Sequence, residues 1–262
     1  MSILHAIILG VVEGVTEFLP ISSTAHLIIT SRILNITQND FLKTFEIVIQ
    51  LGAIAAVAVL YFKTLATKPK LIGKILAAFI PTSIIGLAVY SLAKKYLLGN
   101  LTITVWALVL GGIAIILFEM YFEEKAERNE QSPKELETAI SYPAALWMGV
   151  CQVVAIIPGV SRSAATILGG RALGITRKEV VEFSFLLAAP TMLAAAALDI
   201  YKNPQAISGA NIVPVIIGLV VSFVVAYISM KWLLKYIQTH SFKVFGIYRI
   251  IIGLVIWVLF LR

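Results

Sequence analysis

Apolar residues run along this chain in blocks, not in the stripes of a soluble helix or strand. Six blocks come near the roughly 20 residues that a helix needs to cross a bilayer: about 45–62, 71–93, 101–121, 180–200, 212–234 and 244–261. Two others, 3–34 and 141–174, are too long for one span and are broken near the middle, by "LPISS" at Leu19–Ser23 and "IPGVSRS" at Ile157–Ser163. Proline removes a helical N–H and clashes with the preceding turn, so each broken block is predicted to form two short helices around a sharp reversal. Non-helical backbone at membrane depth is tolerated only where protein or a wet cavity surrounds it. The pattern therefore predicts an all-α integral membrane protein with six spanning helices and two re-entrant helical hairpins.

The two broken blocks resemble each other. At an offset of 139 residues, Gly10, Val11, Val15, Ser22, Ala25, Ile28, Arg32, Leu34, Ile36 and Thr37 fall on Gly149, Val150, Val154, Ser161, Ala164, Ile167, Arg171, Leu173, Ile175 and Thr176, ten identities in 28 ungapped pairs. An apolar bias would not supply the paired Ser, Arg and Thr. Three spans follow each hairpin, and an odd number reverses the orientation in which the second half enters the membrane. The expectation is an inverted-topology repeat within one membrane domain: repeat one about 1–122, a loop about 123–140, and repeat two about 141–262.

Composition sharpens this picture. The 262 residues are 60% hydrophobic and 13% charged, with a mean hydropathy of +0.95, which excludes an ordinary soluble domain. No Lys or Arg precedes the first apolar block, and Glu13 and Glu17 interrupt it, so a cleavable signal peptide is not expected. The lone Cys151 has no partner for an internal disulfide and is read as a small packing residue. A net charge of +7 in a membrane protein sets orientation or meets anionic lipid; nucleic acid is not an expected partner. With the predicted topology, 13 Lys and Arg fall on one side and 6 on the other, leaving Arg162 and Arg249 inside the membrane. By the positive-inside rule the first side is cytoplasmic, so both termini and the mouth of the first hairpin are expected to face outward. The stretch "EEKAERNEQSPKELE", Glu123–Glu137, is expected to be a solvated cytoplasmic connection.

The first hairpin carries unusual chemistry for an apolar block, in "EGVTEFLPISSTAH". Glu13 and Glu17, four residues apart, share one helix face at a spacing that suits a hard divalent cation such as Mg²⁺. Ser22 is placed to cap the next helix, which Ser23 and Thr24 begin, and the free N–H groups of that first turn suit an anion. Ser23 and His26, three apart, can meet as nucleophile and general base. In the second hairpin, "PGVSRSAAT" allows close backbone approach at Gly159, a cap at Ser161, and Arg162 in the first helical turn, with Ser163 beside it. The offset sets Arg162 opposite Ser23, Gln152 opposite Glu13, Ile156 opposite Glu17 and Ala165 opposite His26. A guanidinium fork matches phosphate oxygens bidentately, so the two hairpins together suit a diphosphate. Glu46, Gln50, Glu182 and Ser184 are candidates for supporting positions, and Arg249 is expected to pair with an acid or to snorkel.

Taken together, "EGVTEFLPISSTAH", "FEIVIQLGAI", "PGVSRSAATILGG", "EFSFLLAAP" and the late "IYR" resemble the undecaprenyl-diphosphate phosphatase family associated with bacitracin resistance, over nearly the whole chain. The resemblance implies hydrolysis of undecaprenyl diphosphate to the monophosphate in the bacterial plasma membrane, which recycles the lipid carrier of cell-wall synthesis. It also implies that Glu13 and Glu17 bind a metal, Mg²⁺ or Ca²⁺, that Ser23 and His26 are the catalytic hydroxyl and imidazole with Glu17 beside them, and that Arg162 binds phosphate. Ser22, Thr24, Ser161 and Ser163 line the same expected phosphate site. His26 or a water as the nucleophile stays open, as does a homodimer. The rival reading is a polyprenyl-phosphate transporter or flippase, which needs the binding site but no nucleophile beside a base.

Overall fold

Serine caps open both broken blocks. Ser2 accepts from the His5 N–H and starts α1 (Ile3–Thr16); Ser141 accepts from the Ala144 N–H and starts α8 (Tyr142–Gln152), with Pro143 in its first turn. Each is followed by a break in the α-helix, which after α8 begins with a 3-10 turn at Val153–Ile156, and then by a second short helix, α2 (Ser23–Ile33) and α9 (Arg162–Ala172). The computed structural model describes residues 1–37, 39–97, 100–130, 135–202 and 209–262. Among these the remaining helices are α3 (Asp40–Val48), α4 (Gln50–Thr67), α5 (Pro69–Tyr96), α6 (Leu101–Glu130), α7 (Leu136–Ala139), α10 (Arg177–Lys202), α11 (Ile212–Tyr236) and α12 (Lys243–Phe260), and no strand is present. Six segments are long and apolar enough to cross a membrane: Asp40–Thr67, Pro69–Val89, Leu101–Tyr121, Arg177–Lys202, Ile212–Tyr236 and Lys243–Phe260. They coincide with the six expected spans. Large side chains such as Phe62, Ile84, Leu87 and Leu259 stand exposed on these helices, as a lipid-facing surface requires.

The short helices keep the 139-residue offset seen in the sequence. The offset carries both ends of α2, Ser23 and Ile33, onto the two ends of α9, Arg162 and Ala172. Both helices also stop in the same way. Asn35 and Gly174 adopt positive φ, of 51° and 79°, and the next residues, Ile36 and Ile175, donate back to Ser31 and Gly170. This is the Schellman closure, which asks for a residue that tolerates the left-handed region.

The two halves of the chain interlock. α1 packs on α11, α8 on α5, and α6 on α12, so each short-helix pair leans on a span from the other half. Small residues permit this approach: a Cβ on Gly149 would collide with the Ala78 carbonyl oxygen of α5. The expected loop at about 123–140 differs from the structure, because α6 continues to Glu130 and α7 follows; residues 131–134 lie outside the described residues. The run "EEKAERNE" is rich in strong helix formers, and propensity extends the helix beyond the apolar block that predicted its end.

Candidate active site

The site gathers where the two reversals meet. α1 ends at Thr16, leaving Glu17 as its C-cap, and the chain turns through Phe18, Leu19, Pro20 and Ile21 before Ser22 opens α2. Ser22 has φ 73° and ψ 94°, a strained conformation for a non-glycine residue, and its hydroxyl makes no capping bond. The expected cap is thus present in position and absent in chemistry. That turn of the backbone brings Ser23 under Glu17: Ser23 Oγ donates to Glu17 Oε2 at 2.5 Å, with both side chains buried.

Arg162 arrives from the first turn of α9 and grips the other oxygen. Its Nη2 donates to Glu17 Oε1 at 2.9 Å, and its Nη1 donates to the Ser184 carbonyl on α10 at 2.7 Å. Ser184 Oγ bonds in turn to Thr166 Oγ1 at 2.6 Å. The guanidinium also lies over the Phe18 ring, 5.7 Å from its centroid, which fixes its plane from one side. Its Nε is buried without a partner. Ser23, Glu17 and Arg162 therefore form one buried chain of hydroxyl, carboxylate and guanidinium, with a free donor at its cationic end.

His26 does not face Ser23, which corrects the expected base-to-nucleophile contact. Its Nδ1 meets the Ser22 carbonyl oxygen at 2.7 Å and its Nε2 meets the Tyr248 hydroxyl on α12 at 2.8 Å, with the two rings stacked 5.6 Å apart. Helical spacing put the imidazole on the correct face, but the i−4 carbonyl turned toward it and took one nitrogen. Tyr248 was visible in the sequence only as the neighbour of Arg249.

The small hydroxyls of the second pair also do other work than expected. Ser161 caps α9 by accepting from the Ala164 N–H, and bonds to Ser163 at 2.8 Å. Ser163, fully buried, donates to the Leu19 carbonyl of the first reversal at 2.8 Å. These two serines latch one reversal to the other. Of the remaining expected phosphate ligands, Thr24 is exposed in the first turn of α2, and Ser22 contributes its carbonyl to His26.

Arg249 departs furthest from expectation. It neither pairs with an acid nor snorkels; it is 1% exposed and donates to four backbone carbonyls, those of Pro20 at 3.2 Å, Gly159 at 2.9 Å, Ala107 at 3.0 Å and Leu108 at 3.3 Å. Gly111 on α6 leaves it room. Reversals expose carbonyls that no helix satisfies, and a guanidinium supplies several donors at once.

Glu13 is fully buried, and neither of its carboxylate oxygens has a hydrogen-bond partner. Glu17, Glu46 and Arg162 are the charges that act on it. Of the supporting candidates, Ser184 and Glu46 thus reach the site, whereas Glu182 lies among the charges of Lys178, Glu179 and Lys68. Among the described residues, no three His, Cys, Asp or Glu side chains stand close enough to hold a metal ion by themselves.

The model of the bacitracin resistance protein BacA family matches residues 6–255 of the chain. Among curated proteins, the undecaprenyl-diphosphatase of Aquifex aeolicus is 48% identical over 98% of both chains. That of Sulfurihydrogenibium is 48% identical over 97% of this chain and 98% of its own, and that of Methanococcus aeolicus is 42% identical over the full length of both.

Proposed function

This chain belongs to the bacitracin resistance protein BacA family and is a multi-pass membrane hydrolase of undecaprenyl diphosphate, and we propose that hydrolysis takes place where the two short-helix pairs meet. The observation that carries this assignment is the buried Ser23–Glu17–Arg162 chain, with unpartnered polar atoms on Glu13 and Arg162 beside it. A transporter needs no hydroxyl bonded to a carboxylate, so the Ser23–Glu17 contact favours chemistry over passage.

The diphosphate enters with its terminal phosphoryl group between Ser23 and Arg162. Ser23 Oγ attacks the terminal phosphorus and passes its proton to Glu17 Oε2, the atom to which it already donates. The anhydride bond breaks and undecaprenyl phosphate leaves with the bridging oxygen. Water then attacks the phosphoserine; Ser23 Oγ leaves and takes back from Glu17 Oε2 the proton it gave up, and inorganic phosphate departs with the water's oxygen and one of its protons while the other goes to solvent. The free Nε of Arg162 turns toward the transferring oxygens, and the N–H groups of the first turns of α2 and α9 add donors there, where positioning and electrostatics dominate phosphoryl transfer. His26 holds the strained Ser22 carbonyl in place and so positions Ser23.

The donor chemistry fits a hard cation. Buried carboxylate oxygens without hydrogen-bond donors, as on Glu13, are what Mg²⁺ or Ca²⁺ binds, and such an ion would neutralise charge on the diphosphate.

In this reading the short-helix pairs are re-entrant hairpins of an inverted-topology repeat in the bacterial plasma membrane, with the mouth of the site outward. The shared 139-residue offset of α2 and α9 supports the repeat, and their 11-residue lengths, too short to cross a bilayer, support the hairpins. Two measurements test the proposal. Purified protein should release inorganic phosphate from a long-chain prenyl diphosphate and stop in excess chelator; full turnover in chelator removes the metal. In cells whose protein lacks Cys151, Ser2→Cys should react with an impermeant thiol reagent and Ser132→Cys should not; the reverse pattern inverts the orientation.

A further inference from the structure

Two carboxylates, Glu17 and Glu46, act on a third, Glu13, and the three are not equivalent. Glu17 has no free oxygen: Oε1 accepts from Arg162 at 2.9 Å and Oε2 accepts from Ser23 at 2.5 Å. Its neighbour Arg162 also puts a full positive charge against it, which repels a second cation. Glu13 is the opposite case, wholly buried with both oxygens unpartnered. Glu46, on α3, has a buried Oε1 that likewise has no partner, and its charge reaches Glu13. On the helices that carry them, Leu9 of α1 and Phe45 of α3 belong to one buried apolar cluster. Glu13 and Glu46 thus both bury carboxylate oxygens without a hydrogen-bond partner, and the cation that acts on Glu13, Arg162, is already engaged by Glu17.

We infer that Glu46, together with Glu13, supplies the protein ligands of the divalent cation, and that Glu17 is not one of them. The assignment rests on the hydrolytic reading above and gives the acids separate roles. Glu17 handles the Ser23 proton and holds Arg162, while Glu13 and Glu46 hold the ion. Two carboxylates complete no coordination shell, so phosphate oxygens and water supply the rest, the usual arrangement for Mg²⁺ on a phosphorylated substrate. The assignment also accounts for a glutamate on α3 that neither the nucleophile nor the phosphate clamp uses.

The test is Mn²⁺ binding to the purified full chain, followed by electron paramagnetic resonance in the presence of a non-hydrolysable prenyl methylenediphosphonate, with phosphate release measured in parallel. Glu13→Gln and Glu46→Gln should each weaken Mn²⁺ by about 10–100-fold or more. Glu46→Asp, which keeps the carboxylate, should recover part of the loss, and size exclusion in detergent checks that every variant is folded. Glu17→Gln should bind Mn²⁺ within about threefold of wild type while losing turnover, since its loss removes no ligand. If Glu17→Gln weakens Mn²⁺ as much as Glu13→Gln, or if Glu46→Gln leaves it unchanged, the assignment is overturned. Wild-type turnover with no Mn²⁺ bound also overturns it and leaves hydrolysis standing, whereas a wild type that binds Mn²⁺ and releases no phosphate removes the hydrolytic reading on which it rests.

Discussion

The two short-helix pairs are built on one backbone plan and differ where they turn. Both begin with a capping serine, both place an 11-residue helix after the reversal, and both close that helix on a left-handed residue. At the second reversal the positive φ falls on Gly159, at 93°, and Ser161 caps α9 in the ordinary way with φ −72°. At the first reversal it falls on Ser22, whose hydroxyl caps nothing. Glycine adopts such a conformation freely, while a serine there costs about 1–3 kcal/mol. The strained turn is the one that carries Ser23, the proposed nucleophile, and the relaxed turn carries the guanidinium of Arg162. One frame, used twice, has been specialised so that backbone strain and reactive groups coincide.

Variants that break this division of labour should rank in a definite order. Removing the reactive pair of the first turn, by Ser23→Ala or Glu17→Gln, should lower kcat by on the order of 10³-fold; a Ser23→Ala enzyme near the wild-type rate would leave water as the nucleophile. In the second turn, Arg162→Lys should cost nearly as much kcat/KM as Arg162→Ala, about 10²-fold, because an ammonium keeps the charge and loses the fork. A lysine enzyme close to wild type would reduce Arg162 to a counter-ion of Glu17. His26→Ala should cost only about tenfold, near the worth of one hydrogen bond, since Ser22 and Tyr248 are its partners. A loss equal to that of Ser23→Ala would restore the imidazole as the base.

The smallest effects fall on stability and separate the two turns directly. Ser161→Ala removes an ordinary cap and should lower Tm by about 2–4 °C, while reducing kcat/KM far less than Arg162→Lys does. Ser22→Gly should move the other way, with Tm rising by about as much and kcat falling a few-fold, as expected if strain holds Ser23 in place. A Tm that falls in Ser22→Gly would show that the first turn is no more strained than the second.

Much of this frame was legible in the chain. Apolar runs near the length of a bilayer gave six spans, and Pro20 and Pro158 marked both reversals, because length and a missing N–H act locally. The acids, the serine, the histidine and Arg162 all stand out in the sequence, but which of them meet does not. Residues three apart on a helix are neighbours by periodicity, which pointed Ser23 at His26; its real partner, Glu17, comes near only through the path of residues 17–22, which has no period. The partners of Arg249 were hidden for a related reason, since backbone carbonyls leave no mark in a sequence and only the fold decides which ones a helix abandons. The helix runs beyond residue 121 because propensity carries it past the point where hydropathy alone predicts its end.

Arg249 also sets a timetable. Among the described helices α12 is the last to leave the ribosome, and it brings the guanidinium that holds the Pro20 and Gly159 carbonyls together with the tyrosine that meets His26. Without it the Ser163 hydroxyl still donates to the Leu19 carbonyl, but the Pro20 and Gly159 carbonyls lose the guanidinium they share. A chain that stops short of α12 lacks both that guanidinium and the hydroxyl partner of His26, and should therefore fail to release phosphate even where it inserts.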